Sequence, residues 1–440
     1  MSTQASNSEW PTFISIINRE VVPALGCTEP IVIALAAARA ARELGMPPES
    51  VEVSLSGNLL KNGMGVGVPG TGETGLDIAA AVGALAGVEG KDSLGLEVLR
   101  DLTPEQAAIG HKMVRKGKTS ISLVDTPELL YAAVTVRAEG HFARAAIKGT
   151  HTNIVLVEKD GRIIFSQDQA AGTTGQAAQA ADGDGWPLTM QKIHEFATTA
   201  PLEMISFILK TAEMTTPVAE EGLRNKYGLQ VGRSIDESIG KKILSDDIVS
   251  YAMKMTAAAA DVRMSGAPFP VMSNSGSGNQ GITCTMPVVA FARRLGSSQE
   301  ELTRALIMSH LTSIHIKHHL GRLSAHCGAP VAATASGCGI VLLLGGGLPQ
   351  ISNTVKNMVG NLVGMICDGA KTSCALKVAT SVNAAIQAVF LGMNGIAVPG
   401  RDGIVAEDLE QNLKNLGRLA KEGMPQADKI ILDIMIKQAN

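Results

Sequence analysis

The stretch LYAAVTVRAEGHFARAAIKGTHTNIVLVEKDGRIIFSQ, residues 130–167, decides the fold. It holds four short runs of β-type residues, Leu130–Arg137, Phe142–Lys148, Asn153–Glu158 and Ile163–Gln167, separated by Gly and polar turns. Runs of that length with such punctuation predict a β-meander. Thr119–Val124 adds a fifth run, and Val51–Ser56 alternates apolar and polar residues, which predicts another strand. Upstream, Ser8–Leu44 is helical in pattern but is interrupted at Gly26-Cys27-Thr28-Glu29-Pro30. A second helix is expected there, with Thr28 as cap and Pro30 in its first turn. Asn58–Gly75 is read as a Gly-rich loop and Leu76–Leu85 as a small-residue helix. Downstream, Ala170–Trp186 is read as a mobile loop or linker, and from Leu188 the pattern is helical almost to the end. The expected class is α+β. Residues 1–187 would form a mixed region with Cys27 and a small antiparallel sheet, and residues 188–440 a mainly α-helical domain.

Composition narrows the function. A net charge of -3 over 440 residues argues against a nucleic-acid or anionic-membrane surface. Aromatics are only 3%, with 47 Gly and 18 Met, which suits close helix packing with Met filling gaps. Met1–Trp10 lacks the basic and apolar regions of a secretory signal, so a cytoplasmic setting with reduced thiols is expected. Val331–Leu348 approaches the length of a membrane span but is broken by glycines, so burial is expected instead.

Thiols carry the chemistry. Cys367 and Cys374 share one motif, Met365-Ile366-Cys367-Asp368-Gly369-Ala370-Lys371-Thr372-Ser373-Cys374, and Cys327 lies in Leu323–Val355, a run with no charged residue except histidine. Reduced thiols in such surroundings suit a soft metal centre, and three of them leave one coordination position open. On one continuous helix Cys367 and Cys374 would stand about 10.5 Å apart, too far for one cluster. Asp368-Gly369 therefore predicts a turn at Cys367 with Cys374 starting a helix. Cys284 is a conceivable fourth ligand, and Cys338, flanked by Gly, is read as packing. Cys27 lies ahead of a helix start, where partial positive charge lowers a thiol's pKa and favours a base or nucleophile. A buried small residue is the equal alternative.

Two segments match GxGxxG, Gly65–Gly70 and Gly276–Gly281, but neither follows a strand directly, as a dinucleotide site requires. Ser273-Asn274-Ser275-Gly276-Ser277-Gly278-Asn279-Gln280-Gly281 reads instead as an anion nest opening a helix, or as a plain loop. It lies in a second charge-free run, Met264–Ala292. Lys61 with Asn62 forms another possible anion contact, and His151 could line a site, although such residues are more commonly structural. His315 and His319 have zinc-like spacing, yet no acidic residue occurs from Leu311 to Lys356.

These segments, together with Ala24–Pro30, Lys61-Asn62-Gly63, Val68–Gly72 and Gly149–Ile154, resemble the cysteine desulfidase family. That family is grouped with the α-chain domain of iron–sulfur serine dehydratases. The resemblance implies a [4Fe–4S] cluster held by Cys327, Cys367 and Cys374, Cys27 as proton acceptor, and elimination of sulfide and ammonia from L-cysteine to leave pyruvate. Substrate contacts would come from Lys61, Asn62, His151, Ser273, Asn274, Ser275, Ser277, Asn279 and Gln280. L-serine dehydration is the nearest alternative, and an electron-transfer iron–sulfur protein the next. A homodimer with a small amino-acid substrate, without nucleic acid or membrane, completes the expectations.

Overall fold

A computed structural model describes residues 8–167, 185–321 and 323–439. The segment read as a linker, 170–186, lies outside the described residues except for its last two. All five β-type runs are strands within one or two residues of their expected bounds: β3 Thr119–Leu123, β4 Tyr131–Ala138, β5 His141–Lys148, β6 Ile154–Lys159 and β7 Arg162–Ser166. With β2 (Ser50–Leu55) they form a six-stranded sheet in the order β3-β2-β4-β5-β6-β7. The meander β4 to β7 is antiparallel, β2 adds to it antiparallel, and β3 joins β2 in parallel. β2 and β3 can run parallel because three α-helices intervene, α3 (Gly57–Gly63), α4 (Leu76–Val88) and α5 (Pro104–Arg115).

One face of this sheet is covered by α2 (Thr28–Leu44), whose Ala-rich surface allows close approach. Cys27 is its N-cap and Thr28 its first residue, so the helix starts one position earlier than expected. Gly45, in the left-handed region at φ 75°, ends it by donating its amide to Ala41 O. The loop expected over Asn58–Gly75 begins as a helix, α3 (Gly57–Gly63). Leu59 is buried beneath it, and that anchor outweighs the two glycines at its ends.

The helical part forms a second core. α1 (Trp10–Glu20) packs into it through Phe13, Ile16 and Ile17, with Trp10 and Phe13 edge-on to Phe196 of α6 (Met190–Thr199). Among the described residues the further α-helices are α7 (Leu202–Ile205), α8 (Leu209–Arg224), α9 (Val231–Gly240), α10 (Ile248–Met264), α11 (Gly278–Leu295), α12 (Gln299–Leu320), α13 (Gly328–Leu343), α14 (Leu348–Leu362), α15 (Cys374–Met393), α16 (Leu409–Arg418) and α17 (Pro425–Ala439). Ser298 and Glu301 start α12 with a reciprocal capping box. The glycine-broken apolar stretch after Val331 is α13, and Val331–Val341 is buried throughout. α15 is long and apolar enough to cross a membrane by length and composition, and more than half of its apolar window is buried in the molecule.

A two-stranded ribbon knits the two parts. β1 (Pro23–Leu25) pairs antiparallel with β8 (Pro270–Met272), a short strand ahead of Gly276 that the sequence reading did not expect. Pro270 is tolerated because it is the first residue of a three-residue strand.

Candidate active site

Four helix N-termini meet at one place. Ala325–Cys327 and Met365–Cys367 form a minimal antiparallel ladder, with Cys327 N donating to Met365 O (3.0 Å) and Cys367 N to Ala325 O (2.7 Å). The ladder makes Cys327 and Cys367 neighbours, and their sulfurs share a hydrogen bond. Cys327 caps α13, and Cys374 is the first residue of α15. The turn expected at Cys367 is present, and it brings Cys374 onto the same cavity of about 90 Å³. Gly369 makes this turn at φ 91°, and a Cβ there would stand 2.3 Å from Lys61 O. Ala370 N also donates to Asn62 O, so the turn rests on the end of α3.

Ser277, Asn279 and Gln280 line the cavity from the start of α11, Asn62 from α3, and Glu29 from the first turn of α2. Asn62 Nδ2 donates to Glu29 Oε1 at 3.3 Å. The Oδ1 atoms of Asn62 and Asn279 and the Oε1 of Gln280 are buried without a hydrogen-bond partner. Buried polar atoms of that kind call for an occupant. Ser273, Asn274 and Ser275 stand behind this wall. Ser273 Oγ donates to Val22 O, Asn274 Nδ2 to His310 O and Ser275 Oγ to Asn274 Oδ1. They hold the turn that presents Ser277–Gln280.

Lys61 and His151 are not on the cavity wall. Lys61 is buried, donates to Cys367 O at 3.3 Å and pairs with Asp428 of α17 at 2.5 Å. His151 is buried in the β5–β6 connection.

Electrostatics divides the thiols. Hydrogen bonding from the Cys327 thiol holds Cys367 below the usual thiol range, while the same contact pushes Cys327 up. Burial raises Cys374. Cys27 is fully buried against Cys374, Ala370, Val66 and Met264. The helix start at Cys27 was expected to lower its pKa. Burial instead pushes it up to about 12, against the smaller pull of Arg263 and Lys371. Desolvation of a fully enclosed thiolate outweighs a partial helix charge. Cys284 and Cys338 are buried away from the cavity, both pushed up to about 12 by burial, and act as packing.

The donor set fits an iron–sulfur group. Three thiols from two adjoining segments converge, two of them at helix starts, and no fourth thiol lines the cavity.

Two features escaped the sequence. Arg263, at the end of α10, is 3% exposed and lines the cavity with its Nε unpartnered. The signal available was its position as the single cation between an Ala-rich helix and the charge-free run that follows. The second is Glu410, which joins His315 and His319 in a group within 4.8 Å. The tautomer argues against zinc there. Trp186 Nε1 donates to His315 Nδ1 (3.0 Å), so Nε2 carries the proton and donates it to Glu410 (2.8 Å). That nitrogen has no lone pair for a metal.

Residues 93–433 match the family model described as serine dehydratase alpha chain, a span that includes Arg263 and the three converging thiols but not Cys27 or Glu29. Relatives named UPF0597 protein extend over nearly the whole chain. The one from Oleidesulfovibrio alaskensis is 58% identical over 433 residues, covering 98% of this chain and 99% of its own length. Those from Aeromonas hydrophila and Bacteroides fragilis are each 48% identical over 431 residues, covering 98% of this chain and 97% and 99% of their own lengths. With more than three quarters of its length matched by that model, the chain belongs to the serine dehydratase alpha chain family.

Proposed function

We propose that the chain catalyses β-elimination on L-cysteine, with water giving hydrogen sulfide, ammonia and pyruvate. The observation that carries the reading is the convergence of Cys327, Cys367 and Cys374 on a cavity lined by unpartnered polar atoms. Family membership supports a lyase-type reaction dependent on an iron–sulfur centre. These three thiolates would hold a [4Fe–4S] cluster. Bound there, it supplies a Lewis acid for the β-leaving group.

The chain's own residues do the rest. Ser277, Asn279 and Gln280 orient the substrate. Cys27, packed against Cys374, takes the α-proton. Burial favours its thiol form, and the nearby Arg263 and Lys371 pull against that toward the thiolate that accepts the proton. Loss of the α-proton and cleavage of the C–S bond leave aminoacrylate, which hydrolyses in water to ammonia and pyruvate. No net electron transfer occurs. A reducing cytoplasm suits the free thiols, and a homodimer belongs to the same proposal, to be read by light scattering.

Serine dehydration is the second reading, favoured by the matching family model. It needs the same geometry with a hydroxyl leaving. The test is anaerobic reconstitution followed by sulfide and pyruvate assays with L-cysteine and L-serine in parallel. Equal sulfide and pyruvate from cysteine, with little from serine, supports the proposal. Pyruvate from serine alone replaces it with dehydration. A reversibly reducible cluster with no product from either removes both.

A further inference from the structure

Arg263 is a buried cation without an acidic partner. Among the described residues no carboxylate pairs with it, although it is only 3% exposed. A guanidinium taken from water without a counter-ion is costly, and such groups persist where a ligand supplies the charge. Its surroundings deepen the imbalance. Gly278, the first residue of α11, lies so close that a Cβ there would stand 2.1 Å from Arg263 Nε. The guanidinium is therefore pressed against a helix N-terminus, a second source of positive potential. Ser277 already takes the amides of Gln280, through its hydroxyl, and Gly281, through its carbonyl. The amides of Gly278 and Asn279 precede the first in-helix acceptor. Arg263 and Asn279 both line the cavity.

Glu29 lines that cavity too, bonded to Thr28 and Asn62 but not to Arg263. Opposite charges on one small cavity that do not neutralise each other match a ligand carrying both.

We infer that Arg263 receives the carboxylate of the substrate, against the start of α11, and that Glu29 faces its ammonium group. The site then selects α-amino acids as zwitterions. The inference rests on the elimination reading for the identity of the substrate. Gly278 is the residue that makes room for the guanidinium.

The test compares L-cysteine, L-cysteinamide and cysteamine by sulfide release, using the reconstituted protein and its Arg263→Gln, Arg263→Lys and Gly278→Ala variants. Thermal stabilisation by L-alanine, which has no leaving group, is measured alongside. In the unmodified protein, L-cysteine should exceed both analogues by on the order of 100-fold in kcat/KM. Arg263→Gln should remove most of that gap by raising KM for L-cysteine, with Arg263→Lys intermediate. L-alanine should stabilise the unmodified protein and not Arg263→Gln. Equal use of the three substrates by the unmodified protein overturns the inference, even if no variant folds. So does an Arg263→Gln variant that loses kcat with KM and analogue preference unchanged, because Arg263 would then serve the proton transfer. If neither cysteine nor serine gives product while stabilisation by L-alanine still depends on Arg263, the elimination reading falls and the carboxylate site stands.

Discussion

Asp428 holds the ammonium of Lys61 at 2.5 Å through one oxygen and the amide of Ala325 at 3.1 Å through the other. Lys61 in turn donates to Cys367 O. One carboxylate from α17 thus braces both segments that carry the paired thiols. Lys61 is 1% exposed, so Asp428→Asn leaves a buried charge without its partner. A loss of about 3–5 kcal/mol in urea unfolding is expected, together with reduced iron per chain after reconstitution. The double variant Lys61→Met/Asp428→Leu should recover part of the stability. Unchanged stability in Asp428→Asn would show that the pair contributes little.

The six cysteines should separate into three classes. Cys327→Ala, Cys367→Ala and Cys374→Ala should lose iron, visible absorbance and turnover together. Cys27→Ala should keep iron and absorbance and lose turnover. Cys284→Ala and Cys338→Ala should keep all three. Bleaching of Cys27→Ala would move that thiol from proton transfer to metal binding.

Gly369→Ala should disturb the thiol turn. It places a side chain at φ 91° and a Cβ 2.3 Å from Lys61 O. The expected cost is about 2 kcal/mol or more, with lowered iron content. Gly364→Ala, where a Cβ meets nothing within 4 Å, is the control and should be near neutral. Equal behaviour of the two variants would contradict the packing of the turn on α3.

His310 predicts acid lability. It is fully enclosed, its Nδ1 bonded to Asn274 Nδ2 (3.2 Å) and its Nε2 to Thr285 (3.1 Å), and burial holds its pKa down at about 3. The unfolded chain takes up this proton below about 6.5, and the folded chain does not. The stabilising contribution is therefore complete above pH 6.5 and is lost as pH falls toward 3. Between pH 6.5 and 5 this one residue should remove about 2 kcal/mol. His310→Gln should flatten that part of the profile in denaturant titrations. An unchanged slope would show that other groups govern it.

Much of this was legible because local rules and tertiary packing agreed. The strands were found from alternation and turns alone. Cys367 and Cys374 were placed correctly, one in a turn and one at a helix start, because Asp368-Gly369 disfavours a continuous helix. Where a distant partner decides, local pattern fails. α3 was missed because its glycines suggest a loop, while its stability comes from Leu59 and from α17. The Cys27 acidity was misjudged because enclosure, invisible in sequence, opposes the helix dipole. Ser273–Gln280 was one motif by spacing, yet only its second half lines the cavity. Arg263 was overlooked because nothing along the chain indicates that a cation lacks a partner.

The brace at Asp428 also sets an order in time. Lys61 and Ala325 both precede α17 in the chain, so they are not tied until Asp428 has been made and docked. A nascent chain exposing Cys327, Cys367 and Cys374 therefore holds three thiols without the framework that aligns them. Domains fold largely as units during synthesis. Here the brace closes only when α17 docks, so a chain interrupted before Pro425 would carry the three thiols without the carboxylate that ties their segments.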